Sequence, residues 1–298
     1  MKKTERSKPS AGRTSRASYR RHPMSLVQRI AVTASAVITF AILVALLAYI
    51  LIMGVPNLKL SLFAWHYTSD NCSMTPAIIN TLLMVVLSLL LSVPFGIGAA
   101  IYLVEYAKRG NKLVKVVRLT AETLSGIPSI VYGLFGYLMF VIALNMDKSM
   151  LAGALTLAIM VLPTILRTTE EALKAVPDSF REGSFGLGAG KLRTVFRIVL
   201  PSAVPGIFSG IILAIGRIVG ESAALLFTAG SGYLLAKDFF GKIFESGGTL
   251  TIQLYLSMQK AKYDQAFGIA VVLLLIVLAI NGLAKYLSHK FNTEVRES

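Results

Sequence analysis

The sequence predicts an all-α, polytopic membrane protein with six transmembrane helices and one long polar segment between the fourth and fifth. Three observations predict it. Of 298 residues, 55% are hydrophobic and only 15% charged, with a mean hydropathy of +0.68, whereas a soluble domain carries about a quarter charged residues. Apolar runs recur at lengths that reach or approach the roughly 20 residues needed to cross a bilayer. The basic residues, which give a net charge of +15, gather in alternate connections between those runs. That distribution suits positive-inside membrane topology, not nucleic-acid binding.

Residues 1–29 hold nine Lys/Arg against one acid, Glu5, with Ser, Gly and Pro between. So little apolar surface predicts a disordered basic cytosolic tail. The run Ile30–Met53 follows without a convincing small-x-small cleavage site, so it reads as a retained first span and not a signal peptide. An external loop, poor in basic residues and carrying Trp65 and Tyr67, leads to a second span over 76–104. Pro94, Gly96 and Gly98 predict a kink in its latter half. Lys108, Arg109, Lys112, Lys115 and Arg118 mark a cytoplasmic connection.

The third span is expected over 124–144, with Ser125, Ser129 and Gly133 as a small-residue stripe and a break at Pro128. A tight external turn at Asn145–Ser149 joins it to the fourth span, 150–166. The fifth span covers 204–229 and the sixth 265–287. Between those two lies an external segment with Tyr233, Phe239, Phe240 and Phe244, part of which is expected as a short amphipathic helix at the interface; Gly247 and Gly248 mark a turn in it. Of the 30 Lys/Arg, 23 fall in the tail, the second-to-third connection, the polar segment and the C-terminal tail. Six fall on the other side. The bias puts both termini in the cytoplasm, with the transmembrane domain spanning 30–298.

The polar segment, 167–201, is therefore cytoplasmic. It reads as a helix over Thr168–Ala175, a stop at Pro177, and a second helix with Ser179 and Glu182 as a capping box. A glycine-rich turn follows (Gly186, Gly188, Gly190), then an apolar face of Leu192, Val195, Phe196 and Val199. Within it GAGK is no phosphate-binding loop. Phe185 stands where the first glycine belongs, and Leu192 where Ser or Thr must hold magnesium. No nucleophile–base pair and no carboxylate pair appears elsewhere, so no catalytic residues and no enzymatic activity are expected. The single Cys72 excludes an intrachain disulfide, and His22, His66 and His289 are scattered, so no metal site is expected.

The stretch EGSFGLGAGKLRTVFRIVLP resembles the EAA loop of ATP-binding-cassette importer permeases. Glu182 opens the pattern, Gly183 and Ser184 replace its two alanines, and Gly188, Ile198, Leu200 and Pro201 follow at the pattern's spacing. The resemblance implies a type I importer permease fold whose coupling helix, Glu182 to Gly188, seats on a separate cytoplasmic ATPase dimer. ATP and magnesium would bind that partner, and this chain would hold no cofactor.

The fifth span carries Arg217 and Glu221, four residues apart and so expected on one helix face. Arg217 lies 16 residues past Pro201, about 24 Å at 1.5 Å per residue. A charge at that depth costs about 2.5–3.5 kcal/mol on insertion scales and is usually paired or functional. Two readings stand: the pair neutralises itself, or Arg217 meets a translocating anion while Glu221 fixes or releases it. The planar guanidinium suits an oxyanion. Gly206/Gly210 and Gly216/Gly220 offer close approach to another helix. Arg167, at the mouth of the fourth span, is either a positive-inside anchor or a lower anion contact, with Glu170 and Glu171 beside it.

Together, ILRTTEEALKAVPDSFREG, GIPSIVYGLFG and LAIGRIVGESAALLFTAG resemble the phosphate importer permeases across residues 75–290. ALLFTAG after GES, and Phe135, place the chain nearer the PstA type than its sibling PstC type; Ser222 and Ala224 depart from the commoner pattern. The resemblance implies Arg167, Arg217 and Glu221 along a phosphate path. It also implies a sibling permease as heterodimer partner, an extracytoplasmic phosphate-binding protein, and a prokaryotic cytoplasmic membrane. Alternatives are a permease for sulfate or molybdate, the sibling type, an ion-coupled secondary transporter, or a sensor without a pore.

Overall fold

The structure is a computed structural model that describes residues 23–68, 71–108, 110–232 and 239–297. Among these every regular element is helical. Five helices are long and apolar enough to cross a membrane, and a bent pair raises the number to six. The chain divides into one unit through Ile52 and a second from Met53 onward.

The first unit is built on α1 (Pro23–Gly54). It begins ahead of Ile30, because Met24, Leu26 and Val27 are compatible with helix and Pro23 suits the first helical position. The expected tail is thus shorter than 1–29, and its first 22 residues lie outside the described residues.

In the second unit α2 (Thr75–Ile101) runs on into a π-helical turn, Tyr102–Tyr106. Pro94 sits inside the helix, and the irregularity expected there falls one to two turns later. A proline within a membrane helix is tolerated where neighbouring groups satisfy the freed carbonyl. The connection that follows is itself a helix, α3 (Lys112–Ser125), capped by the Asn111 side chain accepting from Leu113 N–H. It meets α4 (Ser129–Gly136, continued by a π-helical stretch to Ala143) at 105°. Pro128 makes the break, as the sequence predicts. The bend falls inside the expected 124–144 span and splits the stripe: Ser125 is left on α3 and exposed. The close approaches are made by Gly133, the stripe's third member, where a Cβ would lie 2.7 Å from Ala224 Cα, and by Gly136, where it would strike the Thr156 side chain.

α5 (Met150–Ala175), capped by Ser149, is one continuous helix through Pro163. The expected separate helix at 168–175 is its last turns, since nothing between Leu166 and Ala175 stops a helix. After Pro177 comes α6 (Asp178–Gly186). α7 (Lys191–Thr194) then flows through a π-helical turn, Val195–Val199, into α8 (Leu200–Val219). The fifth span is broken: α8 ends at Gly220, and α9 (Ala223–Thr228) is a separate short helix.

α10 (Phe239–Phe244) and α11 (Leu250–Gln259) follow, then α12 (Tyr263–Glu297). Tyr233 lies outside the described residues, as do the side chains of Phe239 and Phe240. α11 adds a second helix to this segment, and its first turn is buried. Asn80 donates to Gly248 C=O at 3.1 Å, and Leu250 N–H donates to Thr81 Oγ1 at 3.0 Å. The polar residues of α2 hold that turn in place, a device invisible to hydropathy. Buried Lys242 donates to Ser246 C=O at 3.1 Å, and burial pushes its ammonium pKa down.

The core lies among α2, α5, α8, α9 and α11, with Met84, Leu157, Met160, Ile218, Leu225 and Ile252 fully enclosed. α8 seats against α5 through the first glycine pair. A Cβ at Gly206 would meet Ala172 Cβ at 2.5 Å, and one at Gly210 would overlap the Thr168 hydroxyl. Gly216, by contrast, has nothing within 4 Å.

Candidate functional site

The elbow is built from α6 and the turn after it. Its start corrects the capping-box reading: Ser179 lies inside α6, the N-cap is Pro177, and no side chain caps it. The end follows a glycine rule. Gly188 has φ +81, its N–H donates to Phe185 C=O at 2.9 Å, and Ala189 N–H donates to Ser184 C=O at 3.1 Å. These are the paired bonds of a Schellman stop, which requires a left-handed residue.

Of the sequence-predicted coupling residues, Glu182 and Gly183 are exposed and Gly183 has open space around it. Ser184 is buried and shares a 2.8 Å hydrogen bond with Thr194 Oγ1, the close packing a small residue permits. Ile198 and Leu200 are half-buried, and Pro201 opens the first turn of α8. Only two of the expected apolar face, Val195 and Val199, are buried, whereas Leu192 and Phe196 are exposed. The π turn explains this, since it offsets the helical register by one residue. Leu187, 91% exposed, stands at the tip.

The charged break lies at the far end of α8. Arg217 is in its last turn and half-buried, within electrostatic reach of Tyr132, whose hydroxyl donates to Leu124 C=O at 2.7 Å. Among the described residues Arg217 has neither a salt bridge nor a hydrogen-bonded side-chain partner. Glu221 is beyond the end of α8, so the two do not share a helix face, and they form no salt bridge. Its Oε1 accepts from Ala224 N–H at 3.0 Å, and its own C=O accepts from Thr251 Oγ1 at 2.7 Å. Glu221, 8% exposed, therefore supports the first turn of α9, where a carboxylate is favoured by the free amides.

A third site is a cavity of about 440 Å³ between α3 and the end of α5, lined in part by Arg118, Glu122, Arg167, Glu171 and Lys174. Arg167 Nε pairs with Glu171 at 3.2 Å, both well exposed. Buried Glu170 accepts from Arg118 at 2.7 Å and Lys174 at 2.6 Å. Glu170, beside Arg167 in sequence, thus bridges α3 and α5 and does not pair with Arg167. Arg118 and Lys174 were missed by sequence reasoning: Lys174 stands at i+4 from Glu170 in the helix the sequence predicts, whereas Arg118 lies on α3, and nothing in the sequence brings α3 to α5. No cluster of metal-ligating residues occurs among the described residues.

Spanning helices with an exposed helical elbow continuous with a charged span define a membrane permease. The chain belongs to the binding-protein-dependent transport system inner membrane component family, whose model matches residues 92–293. It is 39% identical over 197 residues to a probable ABC transporter permease protein, YqgI, of Bacillus subtilis (strain 168), covering 65% of this chain and 67% of that one. It is 36% identical over 241 residues to the phosphate transport system permease protein PstA of Yersinia pestis, with 80% of each chain covered. A solved chain of a bacterial alginate ABC transporter, in complex with an alginate pentasaccharide-bound periplasmic protein, matches with a TM-score of 0.66 at 16% identity. That match covers 91% of this chain and 97% of that one; at such identity it speaks for the fold alone.

Proposed function

We propose that this chain is one permease subunit of an ATP-driven importer that carries inorganic phosphate across a prokaryotic cytoplasmic membrane. The observation that carries the reading is Arg217. It ends a continuous helical rod, Lys191–Val219, about 25 Å beyond Leu200 at 1.5 Å per residue, and among the described residues no carboxylate forms a salt bridge with it. A cation kept open at that depth is an anion contact, and its planar fork suits two phosphate oxygens. Glu221 holds the break that presents it, and Arg167 would serve as a lower contact at the cytoplasmic mouth.

The remaining parts follow. Both termini and the elbow face the cytoplasm, where α6 docks on an ATP-binding-cassette ATPase dimer that binds ATP and magnesium and performs hydrolysis. A sibling permease completes the pore, and an extracytoplasmic phosphate-binding protein delivers substrate. The PstA-type relatives and the basic residues around the elbow support this arrangement. The test is phosphate uptake by the full complex in liposomes, with sulfate and molybdate as competitors. Uptake that needs ATP and is displaced by neither is the expected result. Displacement by sulfate or molybdate would move the substrate to another oxyanion.

A further inference from the structure

The elbow does not hang from α5 and α8 alone. Arg181, on α6 and only 14% exposed, uses all three guanidinium nitrogens. Nη2 and Nε donate to Glu105 Oε1 at 2.8 and 3.2 Å. Nη2 also donates to Leu173 C=O at 2.9 Å, and Nη1 donates to Val176 C=O at 2.8 Å and Asp178 at 3.1 Å. Leu173 is in the last turn of α5 and Val176 is its C-cap, where carbonyls lack helical partners and a cation is favoured. Glu105 is in the π-helical turn that ends α2 and is 8% exposed.

The next residue of that same turn, Tyr106, carries the Lys191 ammonium over its ring at 5.1 Å from the centroid. Lys191 begins α7. The two arms of the elbow, on either side of the Gly188 stop, are thus fixed to consecutive residues of α2. Beneath them Ala100, Ile101, Leu173, Val195, Val199 and Ala203 form one buried apolar cluster. Neither position belongs to the EAA-like pattern, and neither touches the candidate anion path.

We propose that Arg181 is a positioning residue for energy coupling: through Glu105 it locks α6 to the ends of α2 and α5, so that the elbow and those ends move as one body. This rests on the reading of α6 as the ATPase-docking element. A displacement imposed on α6 then reaches α2 directly, and not only α5 and α8, to which the chain joins the elbow. Paired in this way, with its carboxylate and carbonyls nearly shielded from water, the guanidinium makes charge-assisted bonds of the stronger kind.

The experiment uses the complete complex in liposomes, with phosphate uptake and ATP hydrolysis measured on the same preparation. Arg181→Gln and Glu105→Gln are each expected to lower uptake per ATP hydrolysed by about tenfold, as loss of a buried charged hydrogen bond implies. Arg181→Lys is expected to recover part of the loss. Unchanged uptake per ATP in both glutamine variants overturns the proposal. Glu105→Gln leaves the carbonyl contacts of Arg181 in place, so it still reports if Arg181→Gln does not assemble.

A second readout needs no substrate. Spin labels are placed at Ser179→Cys on α6 and Leu90→Cys on α2, in a Cys72→Ser background. Their separation is expected to be the same with and without ATP in the parent, and to change with ATP in Glu105→Gln. A separation that changes in the parent overturns the linkage. One that stays fixed while the parent takes up no phosphate upholds the linkage and removes the substrate reading.

Discussion

Two arginines set the two ends of this protein's working half against each other. Arg181 in the elbow makes five polar contacts and is nearly buried. Arg217, at the end of α8, is half-buried and has no salt bridge among the described residues. A saturated guanidinium holds parts together, whereas an unsaturated one in an apolar setting retains its capacity for an incoming anion. The carboxylates follow the same division. Glu105 is bound to its arginine, while Glu221 is bound to backbone and leaves the nearby arginine open.

The contrast breaks most decisively at Arg217. Arg217→Gln is expected to lower phosphate uptake at least about a hundredfold, the loss of a strong charged contact, with the complex still co-purifying. Normal uptake by that variant would sink the anion path. Next come the two glycine pairs of α8. Gly210→Ala places a methyl on the Thr168 hydroxyl and is expected to cost about 1–3 kcal/mol, seen as a lower melting temperature of the detergent-solubilised chain. Gly216→Ala, with open space around it, should change the isolated chain by less than about 0.5 kcal/mol. If it weakens co-purification of a sibling permease, that face is the heterodimer contact.

Gly188→Ala strains a left-handed position at φ +81 and should destabilise the elbow by about 1 kcal/mol. Faster hydrogen exchange over α6 would report this, and unchanged exchange would remove the Schellman stop from the account. Glu221→Gln should have the smallest effect, because an amide oxygen still accepts from Ala224 N–H. Uptake as low as in Arg217→Gln would instead show that the carboxylate charge meets Arg217 in another conformation.

What was legible in the sequence was whatever hydropathy and spacing encode. The long spans, the break at Pro128 and the glycine stop at Gly188 follow from apolar run length and from the φ limits of Pro and Gly. The place of Glu221 was not legible, because IGRIVGES reads as an unbroken helix and only the burial of Ala224, Leu225 and Thr228 favours a new start at Ala223. Likewise α11 reads as loop until Asn80 and Thr81 are seen to hold its first turn. Arg181 was hidden by its neighbours: in a basic segment one more arginine looks like a positive-inside charge, and Glu105 lies 76 residues away. Contacts between distant polar residues leave no periodic trace.

The seat of α8 on α5 has a consequence for sliding between them. Thr168 and Ala172 rest opposite Gly210 and Gly206, so the two antiparallel helices meet in a fixed register. A slip of one helical turn, about 5.4 Å, toward the N-terminal end of α8 would bring Thr168 to Gly206 but would set Ala172 against Ser202. The opposite slip would bring it to Ala214, which is fully buried and has no space to give. Their contact therefore keys one register: a slip of a turn in either direction sets a side chain against a residue that is not glycine.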